Sequence, residues 1–231
     1  MRGYIDSIET MGLVDGPGIR MVVFLRGCKL RCSYCHNPET WNMENAITMS
    51  SDEIIERIHK NMNYYKNGGI TFSGGEPLMQ AEFLIECLRK CKEIGIHTAL
   101  DTAGVGIDEY DEILDYTDLV ILDIKGITND EYSTITGQSM DEFNRFVHIL
   151  NKREIPVWIR QVVIPGINDN QGYMLKLKEY LNKVKNISKV ELLPYHLYGV
   201  EKYMKLGIPY RLEGVPALTE EQIDPLRKIF E

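Results

Sequence analysis

The 231-residue sequence contains no stretch approaching the ~20 apolar residues that a membrane-crossing helix needs. Its start, Met1-Arg2-Gly3-Tyr4-Ile5-Asp6, lacks the apolar centre of a secretory signal. There is no internal repeat, linker or low-complexity segment. Positive charge is scarce: 26 Lys and Arg stand against 34 Asp and Glu, a formal net charge of −8. Without a basic stripe, nucleic acid is excluded as the main partner. Cysteine is sparse and odd in number, at five, which does not suit a disulfide framework. A soluble, reducing, cytoplasmic protein without a membrane partner is expected. The hydrophobic content, 44%, is enough to bury a substantial core, and one domain over residues 1–231 is expected.

Three of the cysteines sit together in Gly27-Cys28-Lys29-Leu30-Arg31-Cys32-Ser33-Tyr34-Cys35-His36-Asn37. The spacing offers three thiolates and no fourth. A [4Fe–4S] cluster has four irons, so Cys28, Cys32 and Cys35 would leave one iron open to a small molecule. A zinc site usually takes four ligands. His36 is available as a fourth, but it adjoins Cys35, and adjacent residues seldom converge on one metal. Cys87 and Cys91 share a face of a helical stretch. They read as packed thiols, with a second metal site as the alternative, because cysteine behaves in a core as a small hydrophobe.

Along the chain, apolar runs alternate with helical patterns. Met21–Leu25 reads as a buried strand. Ser50 with Glu53 looks like a capping box opening a helix to about Tyr65. Further strands are expected at 70–72, 97–101, 119–122, 157–164 and 189–193. Helices are expected at 81–94, closed by Gly95, and at 109–116, 141–152 and 172–184. Thr219 with Gln222 caps a final short helix. Residues 198–215 are rich in Tyr, Gly and Pro without clear periodicity. Strand and helix alternating six times predict an α/β fold with a parallel sheet, either doubly wound or barrel-like. In both, functional residues gather at the C-terminal ends of strands. Cys28, Gly74, Asp101, Asp123, Arg160 and His196 each end or follow an apolar run.

Several of these residues carry two readings. Gly74 and Gly75, in Ser73-Gly74-Gly75-Glu76-Pro77, allow close backbone approach to a ligand or make an ordinary turn. Asp123 and Lys125 share one side of an extended segment, suiting a zwitterionic ligand or a mutual salt bridge. Arg160 can grip a carboxylate by two parallel hydrogen bonds or pair with an internal acid. Asp15-Gly16-Pro17-Gly18 is explained by a turn alone.

The cysteine loop resembles that of radical S-adenosylmethionine (SAM) enzymes. The resemblance extends to Asp15-Gly16-Pro17-Gly18-Ile19-Arg20, Tyr34–Asn37, Ser73–Glu76, Gly95–Thr98, Asp101-Thr102, Leu122–Lys125, Val157–Arg160 and Leu192–His196. This series, from about residue 3 to about residue 215, is similar to the glycyl-radical enzyme activases of the pyruvate formate-lyase type. Only eight residues separate Cys35 from Glu44, leaving no room for the cysteine-rich insert of many other activases.

The resemblance implies a partial (β/α)6 barrel, open on one side. It implies a [4Fe–4S] cluster on Cys28, Cys32 and Cys35, and SAM as cofactor. Tyr34, Cys35, His36, Gly74, Gly75, Glu76, Asp123, Ile124, Lys125, Arg160 and His196 would contact SAM. Asp101 and Asp123 would hold a monovalent cation, for which carboxylate oxygens are suited. Asp15 would meet the substrate backbone. One electron through the cluster would cleave SAM, and the resulting 5′-deoxyadenosyl radical would take hydrogen from a glycine of pyruvate formate-lyase. No side chain would act as a catalytic acid or base. Flavodoxin or a similar protein would be the reductant, and a monomer is expected. Residues 198–215 would line the partner-docking face. Activation of another glycyl-radical enzyme and simple iron–sulfur electron transfer are the competing readings.

Overall fold

The computed structural model describes residues 1–231. Eight strands form one sheet: β1 (Arg2–Gly12), β2 (Arg20–Leu25), β3 (Ile47–Ser50), β4 (Gly69–Gly74), β5 (Thr98–Thr102), β6 (Leu119–Asp123), β7 (Val157–Val163) and β8 (Ile187–Pro194). Their order is β3-β1-β2-β4-β5-β6-β7-β8. Strands β2 and β4 to β8 pair in parallel throughout. These are the six predicted strands. β3 and β8 are edges, so the barrel is open as expected.

Two strands and two helices extend the sequence-based expectation. β1 and β3 add antiparallel pairings at the β2 edge. β1 carries Asp6, Ser7, Glu9 and Thr10 and is mostly exposed, so it has no continuous apolar run. The helices are α1 (Ser51–Asn61), α2 (Ala81–Glu93), α3 (Tyr110–Asp115), α4 (Asn129–Thr136), α5 (Asp141–Leu150), α6 (Gln171–Tyr180), α7 (Val200–Leu206) and α8 (Glu220–Arg227). Of these, α4 and α7 were not expected. α4 starts where the Thr128 side chain accepts from the Glu131 N–H, and Gly137 ends it at φ 75°. α7 places a helix inside the segment read as aperiodic; with seven residues and only Tyr203 buried, it has too little apolar face to announce itself.

The expected capping box at Ser50 and Glu53 is present in both directions. Gly95 follows α2 at φ 72°, which relieves the left-handed turn at the helix end. At α8, the Gln222 side chain accepts from the Thr219 N–H.

The two faces of the sheet differ, because strand side chains alternate. Met21, Val23 and Leu25 of β2, Phe72 of β4, Leu122 of β6 and Ile159 of β7 belong to the large core packed under the helices. Their neighbours in sequence point inward, where Ala99, Leu119 and Ile121 form a small apolar layer. Above it the same inner face turns polar, with Ser73, Asp101, Asp123 and Arg160. The fold therefore spends its outer face on stability and leaves its inner face for chemistry.

Candidate active site

A cavity of about 450 Å³ opens at the C-terminal ends of the parallel strands. Asp15, Cys28, Cys32, Tyr34, Cys35, His36, Gly74, Gly75, Asp101, Asp123, Lys125, Arg160 and His196 all line it. Every predicted site residue is thus brought together except Glu76 and Ile124. Ile124 is fully buried in the helix-side core, and its N–H donates to the Arg160 carbonyl at 2.8 Å. Glu76 is 1% exposed and turns away from the cavity. Its Oε1 accepts from the Leu78 N–H at 3.1 Å and the Thr102 hydroxyl at 2.5 Å, and its Oε2 accepts from the Ala103 N–H at 2.8 Å. It ties the β4 turn to the end of β5. Burial raises its pKa to about 7, although these hydrogen bonds act in the opposite sense.

The cysteine loop is anchored from both ends. The N–H groups of Arg31 and Ser33 donate to the carbonyls of Thr136 and Ile135 at 2.7 and 2.9 Å, at the end of α4. Those of Gly27 and Cys28 donate to Thr40 and Trp41, in the short 3₁₀ turn Pro38–Trp41. Arg31 Nη1 donates to the Cys28 carbonyl at 2.6 Å. Burial raises all three thiol pKa values, that of Cys32 to about 12. Such thiols lose their protons when a metal compensates the charge.

No three His, Cys, Asp or Glu side chains converge as they would around a single metal ion. Three cysteine sulfurs on one loop are the soft donors that a [4Fe–4S] cluster takes, one for each of three irons. The soft ligands, Cys32 buried and Cys28 and Cys35 half-buried, with open space beside them, fit a [4Fe–4S] group. The Nε2 of His36, beside these thiols, is buried without a hydrogen-bond partner. Cys87 and Cys91 are fully buried in the main core on α2, away from the cavity.

Gly74 and Gly75 serve close approach, first of all to the chain itself. A Cβ on Gly74, at φ 112°, would lie 2.3 Å from the Leu25 nitrogen. One on Gly75 would lie 2.6 Å from the Gly27 carbonyl oxygen. The Gly75 and Glu76 N–H groups donate to Leu25 and Gly27 at 2.8 and 2.9 Å. The turn and the base of the cysteine loop are clamped together, and both face the cavity.

The charged wall is internally paired. Lys125 Nζ lies 2.7 Å from Asp123 Oδ2 and 5.4 Å from the centre of the Tyr34 ring. Burial opposes the charge of Lys125, but Asp123 and its other neighbours outweigh it and raise the pKa. Arg160 reaches Glu191 at 2.9 Å, Asp15 at 3.3 Å and Asp101 at 3.5 Å, and donates to the Val14 carbonyl. The internal ion pair is the reading that this geometry favours for Arg160. Asp101 accepts from Ser73 Oγ at 2.7 Å. Burial, opposed by Arg160 and reinforced by the like charge of Asp123, lifts its pKa to about 6.

The mouth is formed by His36 and His196, whose rings stack at 3.7 Å and 15°. The Tyr198 ring lies 4.3 Å from that of His196. Asn37, Trp41, Thr102, Val162, Leu193 and Glu220 also line the cavity and were not singled out in the sequence. Thr102 ends β5 and could have been found by that rule. Trp41 and Glu220 come from a turn and a distant helix, and no local signal marks them.

An open α/β barrel whose first strand-end loop carries three cysteines around a polar cavity defines a class. A family model described as the Radical SAM superfamily matches residues 22–177, and the chain belongs to that superfamily. The curated pyruvate formate-lyase-activating enzyme of Clostridium pasteurianum is 49% identical over 228 residues, 98% of this chain and 96% of that relative. Its namesake from Staphylococcus epidermidis is 41% identical over 233 residues, 96% of this chain and 93% of that relative. A crystal structure of a domain of pyruvate-formate lyase-activating enzyme from Bacteroides vulgatus superposes with a TM-score of 0.56 at 25% identity, covering 71% of this chain and 92% of that one. Within the superfamily, the chain is a member of the pyruvate formate-lyase-activating enzyme family. No helix is long and apolar enough to cross a membrane.

Proposed function

We propose that this enzyme binds a [4Fe–4S] cluster and SAM in the strand-end cavity and uses them to generate the glycyl radical of pyruvate formate-lyase. The observation that carries the reading is the convergence of the three cysteines, the glycine turn and paired acidic and basic groups on one cavity of about 450 Å³. When bound, the cluster and SAM together supply a one-electron reductive cleavage whose carbon radical takes a hydrogen atom from the glycine.

The chain's own residues bind, orient and exclude. Cys28, Cys32 and Cys35 hold the cluster. The backbone of Gly74 and Gly75 receives the SAM amino group, with Lys125 and Asp123 on the opposite wall. Tyr34, Cys35 and His36 flank the adenine, and His196 closes over it. Arg160 acts by holding Asp15, Asp101 and Glu191 in place, and Glu76 by fixing the Gly75 turn against Thr102 and Ala103. Asp101 and Asp123 are two carboxylates on one wall, and a monovalent cation there would relieve their mutual repulsion. Asp15, at the cavity floor, meets the backbone of the incoming glycine loop.

On this reading residues 1–231 act as one domain, as a monomer in the cytoplasm, with flavodoxin or a similar protein as electron donor. A groove of about 550 Å³ between α7 and residues 208–216, lined by Leu197, Tyr203, Met204 and Tyr210, supports partner docking beside His196. The test is electron paramagnetic resonance (EPR) of the anaerobically reconstituted protein with SAM, reductant and pyruvate formate-lyase. A glycyl-radical doublet is expected. A cluster signal perturbed by SAM, without that doublet, would move the target to another molecule.

A further inference from the structure

Arg20 is the largest fully buried side chain in the protein, and it makes no ion pair. It begins β2 at the end of the barrel opposite the cysteines, where Arg20 is in register with Gly69. Burying a guanidinium without a carboxylate is costly, and the neutral groups that satisfy it are specific. Nη2 donates to the Ile70 carbonyl at 2.6 Å and to the His97 carbonyl at 3.3 Å, and lies 3.2 Å from His97 Nδ1. Nη1 donates to the Pro17 carbonyl at 3.1 Å, and Nε donates to Thr71 Oγ1 at 2.7 Å.

Thr71 passes this contact on. Its hydroxyl accepts from Arg20 and donates to the Asp15 carbonyl at 2.6 Å. Thr71 stands one inward-facing position below Ser73, which lines the cavity. The loop between β1 and β2 leaves Leu13 and Val14 71% and 72% exposed. Its inward side rests on Arg20. A Cβ on Gly16, at φ 123°, would come within 2.9 Å of the Arg20 Cδ and Nε.

We infer that Arg20 and Thr71 are positioning residues, a buried support that fixes Asp15 on the cavity floor at the height where it meets the peptide backbone of the substrate glycine. This rests on the proposed role of Asp15. Arg160 holds the Asp15 carboxylate from the side, and Thr71 holds its carbonyl from beneath. Neither Arg20 nor Thr71 touches the cysteine loop, the Gly74–Gly75 turn or the Asp123–Lys125 pair. Their loss is therefore felt by the peptide step and not by SAM cleavage.

Thr71→Val keeps the shape and removes the hydroxyl, while Thr71→Ser restores it. The reconstituted holoenzyme is assayed for 5′-deoxyadenosine release without partner protein, and for glycyl-radical formation against partner concentration. Hydrogen exchange of the amides in residues 13–18 is followed in parallel, independently of any activity. In Thr71→Val, partner-free SAM cleavage stays within about twofold of wild type. The partner concentration for half-maximal radical formation rises about tenfold, the equivalent of one hydrogen bond. The loop amides exchange about tenfold faster, and Thr71→Ser reverts both changes. Arg20→Lys shifts them in the same direction. Unchanged loop exchange in Thr71→Val, or parallel loss of both activities, overturns the inference. Faster loop exchange with unaltered dependence on partner shows that the support exists but that Asp15 does not meet the substrate.

Discussion

The imidazole of His36, in the cysteine loop, stacks on the imidazole of His196, beyond the last strand, with ring centres 3.7 Å apart. The contact joins the first and last strand ends of an open barrel and closes one side of the cavity. Burial, reinforced by His196, lowers the His36 pKa to about 4, and burial lowers that of His196. Both rings are therefore neutral at pH 7, and stacking carries no charge repulsion. His196→Ala is expected to weaken SAM binding by about 2- to 10-fold, the range of a single aromatic stacking contact. Calorimetric titration of the reconstituted protein measures this, and unchanged affinity would remove His196 from the SAM wall.

Arg160→Met leaves Asp15, Asp101 and Glu191 facing one another without their shared cation. Removing one partner from such a buried network costs about 3–5 kcal/mol. Urea unfolding of the cluster-free protein should show that loss, and Arg160→Lys should recover part of it by keeping the charge without the fork. A loss below about 1 kcal/mol for Arg160→Met would mean that the acids relax into solvent.

Glu76 gives a pH dependence with a definite sign. Its folded pKa of about 7 lies above the ordinary glutamate value of 4.5. Between those values the folded protein keeps a proton that the unfolded chain has released. The contribution of Glu76 to stability is thus complete below about pH 4.5 and declines as pH rises to 7. Glu76→Gln cannot ionise and should lose this slope. The variant also turns an amide N–H toward the Ala103 N–H, at a cost of about 1–3 kcal/mol. Unfolding free energies measured across pH 4.5 to 7.5 test both parts, and parallel curves for the two proteins would contradict the first.

The five cysteines divide into two sets with opposite expectations. Cys28→Ala, Cys32→Ala and Cys35→Ala each lower the iron and sulfide content after anaerobic reconstitution. Cys87→Ala and Cys91→Ala leave both unchanged, and as small core deletions cost about 1 kcal/mol in stability. Loss of iron from Cys87→Ala or Cys91→Ala would reopen the second-metal reading of α2.

Of the six parallel strands, β2 and β4 to β7 were legible because they are buried on both faces and read as apolar runs with polar or special residues at or just past their ends. β8, an edge strand with only Leu192 buried, was legible from the shorter run around Leu192. β1 was not, since an edge strand with Asp6, Ser7 and Glu9 exposed carries no such run. α4 does carry a local signal, since Thr128 followed by Glu131 and closed by Gly137 is the pattern of a capped helix. It matters because α4 anchors the cysteine loop. At the cavity, strand-end position selected Asp101, Asp123, Arg160 and His196. It could not tell which way Glu76 turns, because the residue leaves the strand at a glycine turn and its direction is set by donors on β5. The pairing of Arg160 with Asp15 spans 145 residues of sequence and has no local trace.

The most direct measurement uses pyruvate formate-lyase carrying deuterium on its glycine α-carbons, incubated anaerobically with the reconstituted protein, SAM and a reductant. Mass spectrometry of the released 5′-deoxyadenosine reads where the hydrogen went. Deuterium in 5′-deoxyadenosine, matched to the glycyl radical formed, is the expected result. Release of 5′-deoxyadenosine without deuterium would contradict direct hydrogen transfer from the glycine to SAM held in this cavity.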